Sequence, residues 1–87
     1  VRITAAIPCY NAERFISSCL ESLIAQSRPP DEIIVVDDGS TDRTAEILSS
    51  RRDVKVITLK QNRGVAHARN VLTKNASGEV IVFIDAD

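Results

Sequence analysis

Ile33-Ile34-Val35-Val36 is an unbroken run of β-branched residues, and it constrains the fold more than any other stretch of the chain. β-Branched side chains favour pleated backbone, and a strand with no polar alternation has both of its faces covered. Three further apolar runs share that character: Ile3 to Ile7, Val54 to Leu59 and Val80 to Ile84. Pro8 is expected to end the first of these, because proline donates nothing to a strand ladder.

Helical stripes lie between the runs. Phe15, Ile16, Cys19, Leu20, Leu23 and Ile24 alternate with Ser17, Ser18, Glu21 and Ser22, the pattern of an amphipathic helix, with Asn11 as its expected cap and Arg28-Pro29-Pro30 as its stop. Asp37-Asp38-Gly39-Ser40-Thr41 signals a turn and offers capping hydroxyls to a helix from about Asp42 to Ser50. Gly64 and Val65 open a third helix, with Val65, Ala68, Val71 and Leu72 as its apolar face and its close near Gly78. The order β-α-β-α-β-α-β gives an α/β class: a three-layer, Rossmann-like α/β/α sandwich on a parallel sheet of about four strands. Right-handed crossovers imply the strand order 3-2-1-4, reversing between the first and fourth strands, and ligands of such sheets sit beyond the carboxyl ends at the reversal.

The totals narrow the ligand. With 87 residues the chain is one small domain, and 11 basic against 12 acidic side chains, scattered and summing to a net charge of -1, argue against nucleic-acid binding. No apolar stretch approaches the roughly 18 residues of a spanning helix. Cys9 and Cys19 form neither a CxxC nor a disulfide framework, which points to a reducing compartment, the cytoplasm. A chain that starts at Val1 and stops at Asp87 is expected to be part of a longer one.

Three of the four strands lead into polar segments: Pro8-Cys9-Tyr10-Asn11, Asp37-Asp38-Gly39-Ser40 and Asp85-Ala86-Asp87. In a parallel sheet those segments share one edge. Two bare carboxylates about 4 Å apart repel by roughly 4 kcal/mol at an effective dielectric near 20, so such a cluster calls for a cation, hydrogen-bond donors or water. Oxygen ligands suit Mg²⁺ or Mn²⁺, ions that keep waters and complete their shells with substrate phosphates. There is no GxxxxGK[ST] and no GxGxxG after the first strand, which disfavours a P-loop or a dinucleotide site and leaves a metal-bridged diphosphate.

The segments Ala6-Ile7-Pro8-Cys9-Tyr10-Asn11-Ala12-Glu13, Asp31 to Asp42 and Asn62 to Asn70, followed by Gly78-Glu79 and the final Asp-Ala-Asp, resemble the N-terminal half of a family 2 glycosyltransferase, and the resemblance covers the whole chain. It implies a glycosyltransferase A-type fold and a nucleotide-diphosphate-sugar donor, a UDP-sugar first among them, with an acceptor the sequence does not name. It also implies that Pro8, Tyr10, Asn11, Glu13 and Gly64 border the donor, with Tyr10 packing on the base. Asp38 would accept a hydrogen bond from the base, Asp85 would lie near the ribose and share in metal binding, and Asp87 would hold the divalent cation. The carboxylate base of an inverting displacement would follow the Asp-x-Asp, so the 87 residues alone are expected to be inactive. Cys9 departs from the Thr or Ser common in the family. Arg63 and Arg69 are weighed as diphosphate contacts against solvated surface, and His67 is given no chemistry. Two other readings stand beside this one. A sugar-1-phosphate nucleotidyltransferase would carry a glycine-rich basic loop where Pro-Cys-Tyr-Asn stands. A non-catalytic module would self-associate, as a homodimer, through an exposed fourth strand.

Overall fold

The structure, a computed structural model, describes residues 1–86. Seven elements follow in order: β1 (Ile3–Cys9), α1 (Ile16–Ile24), β2 (Glu32–Asp37), α2 (Thr44–Ser49), β3 (Lys55–Thr58), α3 (Val65–Asn75) and β4 (Val80–Phe83). The strands are parallel and ordered β3-β2-β1-β4, as the crossover argument expects.

Side-chain alternation on the two central strands builds two cores. Ala5, Ile7 and Cys9 of β1 and Ile33 and Val35 of β2 pack against Ile16, Leu20 and Leu23 of α1 and Leu48 of α2. Ala6, Ile34 and Val36 face the other way, onto Ala68 and Leu72 of α3. Full burial of an Ile, Leu or Val side chain contributes roughly 1.5–3 kcal/mol, so this double cover explains why the central strands tolerate no polar alternation. The edges are less protected. Val80, Val82 and Phe83 of β4 remain 40–45% exposed, so the fourth run is apolar without being covered.

Three local expectations need correction. Pro8 does not end β1; it continues the strand in register with Val36. The carbonyl of Ala6 accepts from Ile84 N–H at 3.0 Å and that of Cys9 accepts from Asp38 N–H at 2.9 Å, so even-numbered residues of β1 face β4 and odd-numbered ones face β2. The nitrogen of Pro8 therefore points to the side where β4 has already finished, and the ladder loses nothing. Asn11 does not cap α1, which begins five residues later, at Ile16, without a side-chain cap. Its backbone is left-handed, with φ 50°, and its side chain reaches across to the loop after β2. Similarly, the donors before α2 are met by the carboxylate of Asp42, which accepts Thr44 N–H at 2.9 Å, and not by the hydroxyls of Ser40 or Thr41.

Candidate donor-binding site

The carboxyl ends of β1, β2 and β4 converge as the sheet order requires, and two small hollows open there. One, of about 160 Å³, is lined by Pro8, Cys9, Tyr10, Asp38, Asn62, Gly64 and Val65. The other, of about 190 Å³, is lined by Pro8, Cys9, Tyr10, Asn11, Ala12, Phe15, Asp85 and Ala86. Pro8, Cys9 and Tyr10 border both and form the ridge between them. Each hollow is smaller than the roughly 300–1,000 Å³ usual for a whole ligand, so each fits one part of a larger molecule. A wider depression of about 410 Å³ lies at the amino ends of β2 and β3, beside Asp31, Glu32 and Lys55. Its acids are already paired, Asp31 with Arg28 at 3.6 Å and Glu32 with Lys55 at 3.7 Å, and it lies at the end of the sheet away from the reversal.

Asp38 engages both of its carboxylate oxygens in hydrogen bonds with the segment before α3. It is buried, and its carboxylate accepts Arg63 N–H at 2.8 Å, Gly64 N–H at 2.9 Å and the Asn62 amide at 3.2 Å. Those donors are the approach to α3, whose first turn leaves N–H groups without helical partners. Gly64 makes the approach possible with φ 97°. Gly39, at φ 70°, lets the β2 loop lie directly on residues 61–62: a Cβ there would fall 2.4 Å from the Gln61 carbonyl carbon.

Asp37 points to the opposite face of the sheet, directly across from Cys9. Its Oδ1 accepts Ser40 N–H at 3.0 Å, while its buried Oδ2 has no partner among the described residues. Burial, helped by the charges of Asp37 and Asp42, pushes the Cys9 thiol up to about 12, so it is neutral and unreactive at ordinary pH. Both cysteines are free; Cys19, whose thiol burial also raises, lies with its sulfur 3.9 Å from the Asp85 carbonyl oxygen.

The structure thus brings Pro8, Tyr10, Asp38 and Gly64 round one hollow and Pro8, Tyr10, Asn11 and Asp85 round the other. Glu13 borders neither; it is exposed, and its N–H donates to Asp42 at 3.2 Å. Asp85 is exposed at the end of β4, with no side-chain hydrogen bond among the described residues, and Asp87 lies outside them. No group of three metal-ligating side chains gathers among the described residues. Sequence reasoning missed Asn62, whose signal was its place two residues before a helix-opening glycine, and Phe15, which reads as one more apolar helix residue. Arg63 serves Asp38 through its backbone. Arg69 lays its guanidinium over the Phe83 ring, 5.5 Å from the centroid.

A parallel sheet with a reversal between β1 and β4, a tyrosine ridge after β1 and acids after β2 and β4 is the arrangement of an α/β domain of the glycosyltransferase A type. The chain belongs to glycosyl transferase family 2, whose profile matches residues 4–87. It is 40% identical over 89 residues to the glycosyltransferase GlyA of Streptococcus pneumoniae, spanning 99% of this chain and 13% of that protein. Among solved structures, it resembles S. aureus TarS in complex with UDP-GlcNAc, at 39% identity and a TM-score of 0.90 over 100% of this chain and 27% of that one. The mannosyltransferase PcManGT of Pyrobaculum calidifontis, solved with GDP-Man and Mn²⁺, matches at 34% identity and a TM-score of 0.84 over 99% of this chain and 27% of its own. The chain therefore spans well under a third of each of these proteins.

Proposed function

We propose that the chain is the donor-binding part of a longer, inverting glycosyltransferase that moves a sugar from a nucleotide-diphosphate sugar, a UDP-sugar first among them, to an acceptor hydroxyl. The observation that carries this reading is the pair of hollows sharing the Pro8–Tyr10 ridge, with Asp38 on one side and Asp85 on the other. Tyr10, 48% exposed, offers its ring to the base. Three of the roughly four acceptor directions of Asp38 are taken, which leaves one for the imide N–H of a uracil-like base. Asp85 faces the ribose. UDP-GlcNAc in TarS and GDP-Man in PcManGT are what those relatives were solved with, and they support a nucleotide-diphosphate donor here.

The carboxylate of Asp85, exposed and without a side-chain hydrogen bond among the described residues, fits a hard cation such as Mg²⁺ or Mn²⁺, with Asp87 as its partner ligand. One or two carboxylates leave the rest of the shell to water and phosphate oxygens. When bound, such an ion neutralises charge on the departing diphosphate. The acceptor's base is assigned to the longer protein, so the 87 residues bind weakly and transfer nothing. Two free cysteines suit the reducing cytoplasm. Among the described residues no helix is long and apolar enough to cross a membrane.

The test is release of nucleoside diphosphate from UDP- and GDP-sugars by the full-length protein. Tyr10→Ala is expected to raise KM for the donor with a smaller effect on kcat, and turnover indifferent to Tyr10 contradicts the reading. The uncovered edge of β4 favours a second reading, self-association of this segment through Val80 to Phe83, which sedimentation showing only monomer at high concentration would exclude.

A further inference from the structure

We infer that Asn11 is a positioning residue of the donor site, acting through its amide oxygen on the loop after β2 and not through its amide nitrogen on the donor. The inference rests on the donor-site reading above. Tyr10 stands at the head of a segment, residues 10–13, that belongs to neither β1 nor α1. Ala12 anchors the segment in the core, and a seam of hydrogen bonds ties it to residues 40–44. Three consecutive N–H groups donate across it: Asn11 to Ser40 Oγ at 2.9 Å, Ala12 to Thr44 Oγ1 at 2.8 Å and Glu13 to Asp42 Oδ2 at 3.2 Å.

One side chain of residues 10–13 reaches back. Asn11 Oδ1 accepts Thr41 N–H at 2.8 Å, Asp42 N–H at 3.3 Å and the Thr41 hydroxyl at 3.4 Å. These partners identify the oxygen, since two of them are backbone donors, and the Asn11 amide nitrogen makes no hydrogen bond among the described residues. The backbone of Asn11 has φ 50°, a left-handed conformation that asparagine accepts more readily than other side-chain-bearing residues. Both features serve the same end. The left-handed turn redirects the chain after Tyr10, and the amide oxygen ties the redirected segment to the loop of Asp38. The Tyr10 wall and the Asp38 wall of one hollow are thereby a single unit.

A donor ligand would use the idle nitrogen, so the two roles differ in what Asn11→Asp does: it keeps the acceptor and removes the donor. The experiment compares Asn11→Ala and Asn11→Asp in the full-length protein, with UDP and Mn²⁺ as the probe for affinity. Amide exchange across residues 10–13 and 41–42 is followed without ligand. Asn11→Ala is expected to weaken UDP by on the order of tenfold and to speed exchange in both segments, while Asn11→Asp, whose added charge near the diphosphate is offset by the Mn²⁺ present, loses less affinity than Asn11→Ala and keeps its protection. Equal or greater loss in Asn11→Asp with protection unchanged in both variants overturns the inference, as does unchanged exchange in Asn11→Ala. A wild type that binds no nucleotide overturns the donor-site reading instead, and exchange still reports whether the seam depends on Asn11.

Discussion

Gly64 donates its backbone N–H to Asp38 Oδ2 at 2.9 Å, joining the end of β2 to the start of α3 across 26 residues of chain. Arg63 N–H takes the other oxygen at 2.8 Å, so one buried carboxylate holds the two successive backbone donors that lead into the helix. The residue that resemblance assigns to the base is therefore also what keeps one wall of its pocket in place.

Asp38→Ala is accordingly expected to do more than weaken nucleotide binding. Losing a charged acceptor from buried backbone donors should cost about 2–3 kcal/mol, read from the midpoint of urea unfolding. Asp38→Asn should cost a comparable amount, because an amide presents a donor to one of the two N–H groups. A stability change near zero in both variants would show that the clamp is not what holds this turn.

The two left-handed glycines of the site should respond unequally to alanine. A Cβ on Gly39 meets the backbone of Gln61 and Asn62 at 2.4–2.5 Å, whereas one on Gly64 meets nothing within 4 Å. Gly64, at φ 97° and ψ 159°, holds a backbone conformation almost exclusive to glycine, so Gly64→Ala should cost about 1–3 kcal/mol, the backbone strain alone. Gly39→Ala should cost more than about 3 kcal/mol, since backbone has to move. Thermal melts of the two variants decide it, and equal shifts would contradict the close packing of these loops.

The layers, the parallel sheet and the strand order were legible because Ile33 to Val36 and its companion runs carry no polar alternation, and chirality limits what can follow. The convergence of Tyr10, Asp38 and Asp85 followed from the same topology. What the residues did not disclose was direction within the strand and loop. Whether Pro8 breaks β1 depends on which side its nitrogen faces and on how far β4 extends, and both are facts about the partner strand. Asn11 reads locally as a helix cap because asparagine favours that role, yet a left-handed backbone sent its amide to Thr41 and Asp42. Glu13 belongs to a recognisable motif, but an exposed side chain carries no local signal of where it points. The part Asn62 plays could not be read from its motif because its partner, Asp38, lies far off in sequence.

Cys9 gives a pH dependence at the alkaline end. Its folded-state value is near 12 against an ordinary 9.0, so the folded protein holds that proton more tightly than the unfolded chain. The corresponding stability is complete below pH 9 and lost as the pH rises towards 12. Cys9→Thr should remove this slope and, by setting a hydroxyl opposite Asp37 Oδ2, which has no partner among the described residues, raise stability at neutral pH by about 1 kcal/mol. Denaturation from pH 7 to 11 checks both. A thiol reagent should label Cys19 in the native protein well before Cys9.

Asp42 supplies the acid limb. Burial works to raise its value, but the Thr44 hydroxyl, the Thr44 N–H and the Glu13 N–H outweigh it and hold the carboxyl below its ordinary 3.8. Its contribution is therefore present above that ordinary value and lost as the pH falls through the lower folded one. Asp42→Asn should flatten stability below about pH 4, measured by urea midpoints against pH, with loosening of the Glu13 and Thr44 amides. An unchanged acid limb would mean that this carboxylate is not stitching the Tyr10 segment to the start of α2.

Isothermal titration of UDP into the full-length protein, with and without Mn²⁺ and repeated with Tyr10→Ala, tests the central claim most directly. Expected is saturable binding that strengthens when the cation is present and weakens by on the order of tenfold without the Tyr10 ring. The contradicting result is a full-length protein that binds neither UDP nor GDP at millimolar concentration, or that binds one of them with no dependence on the cation or on Tyr10.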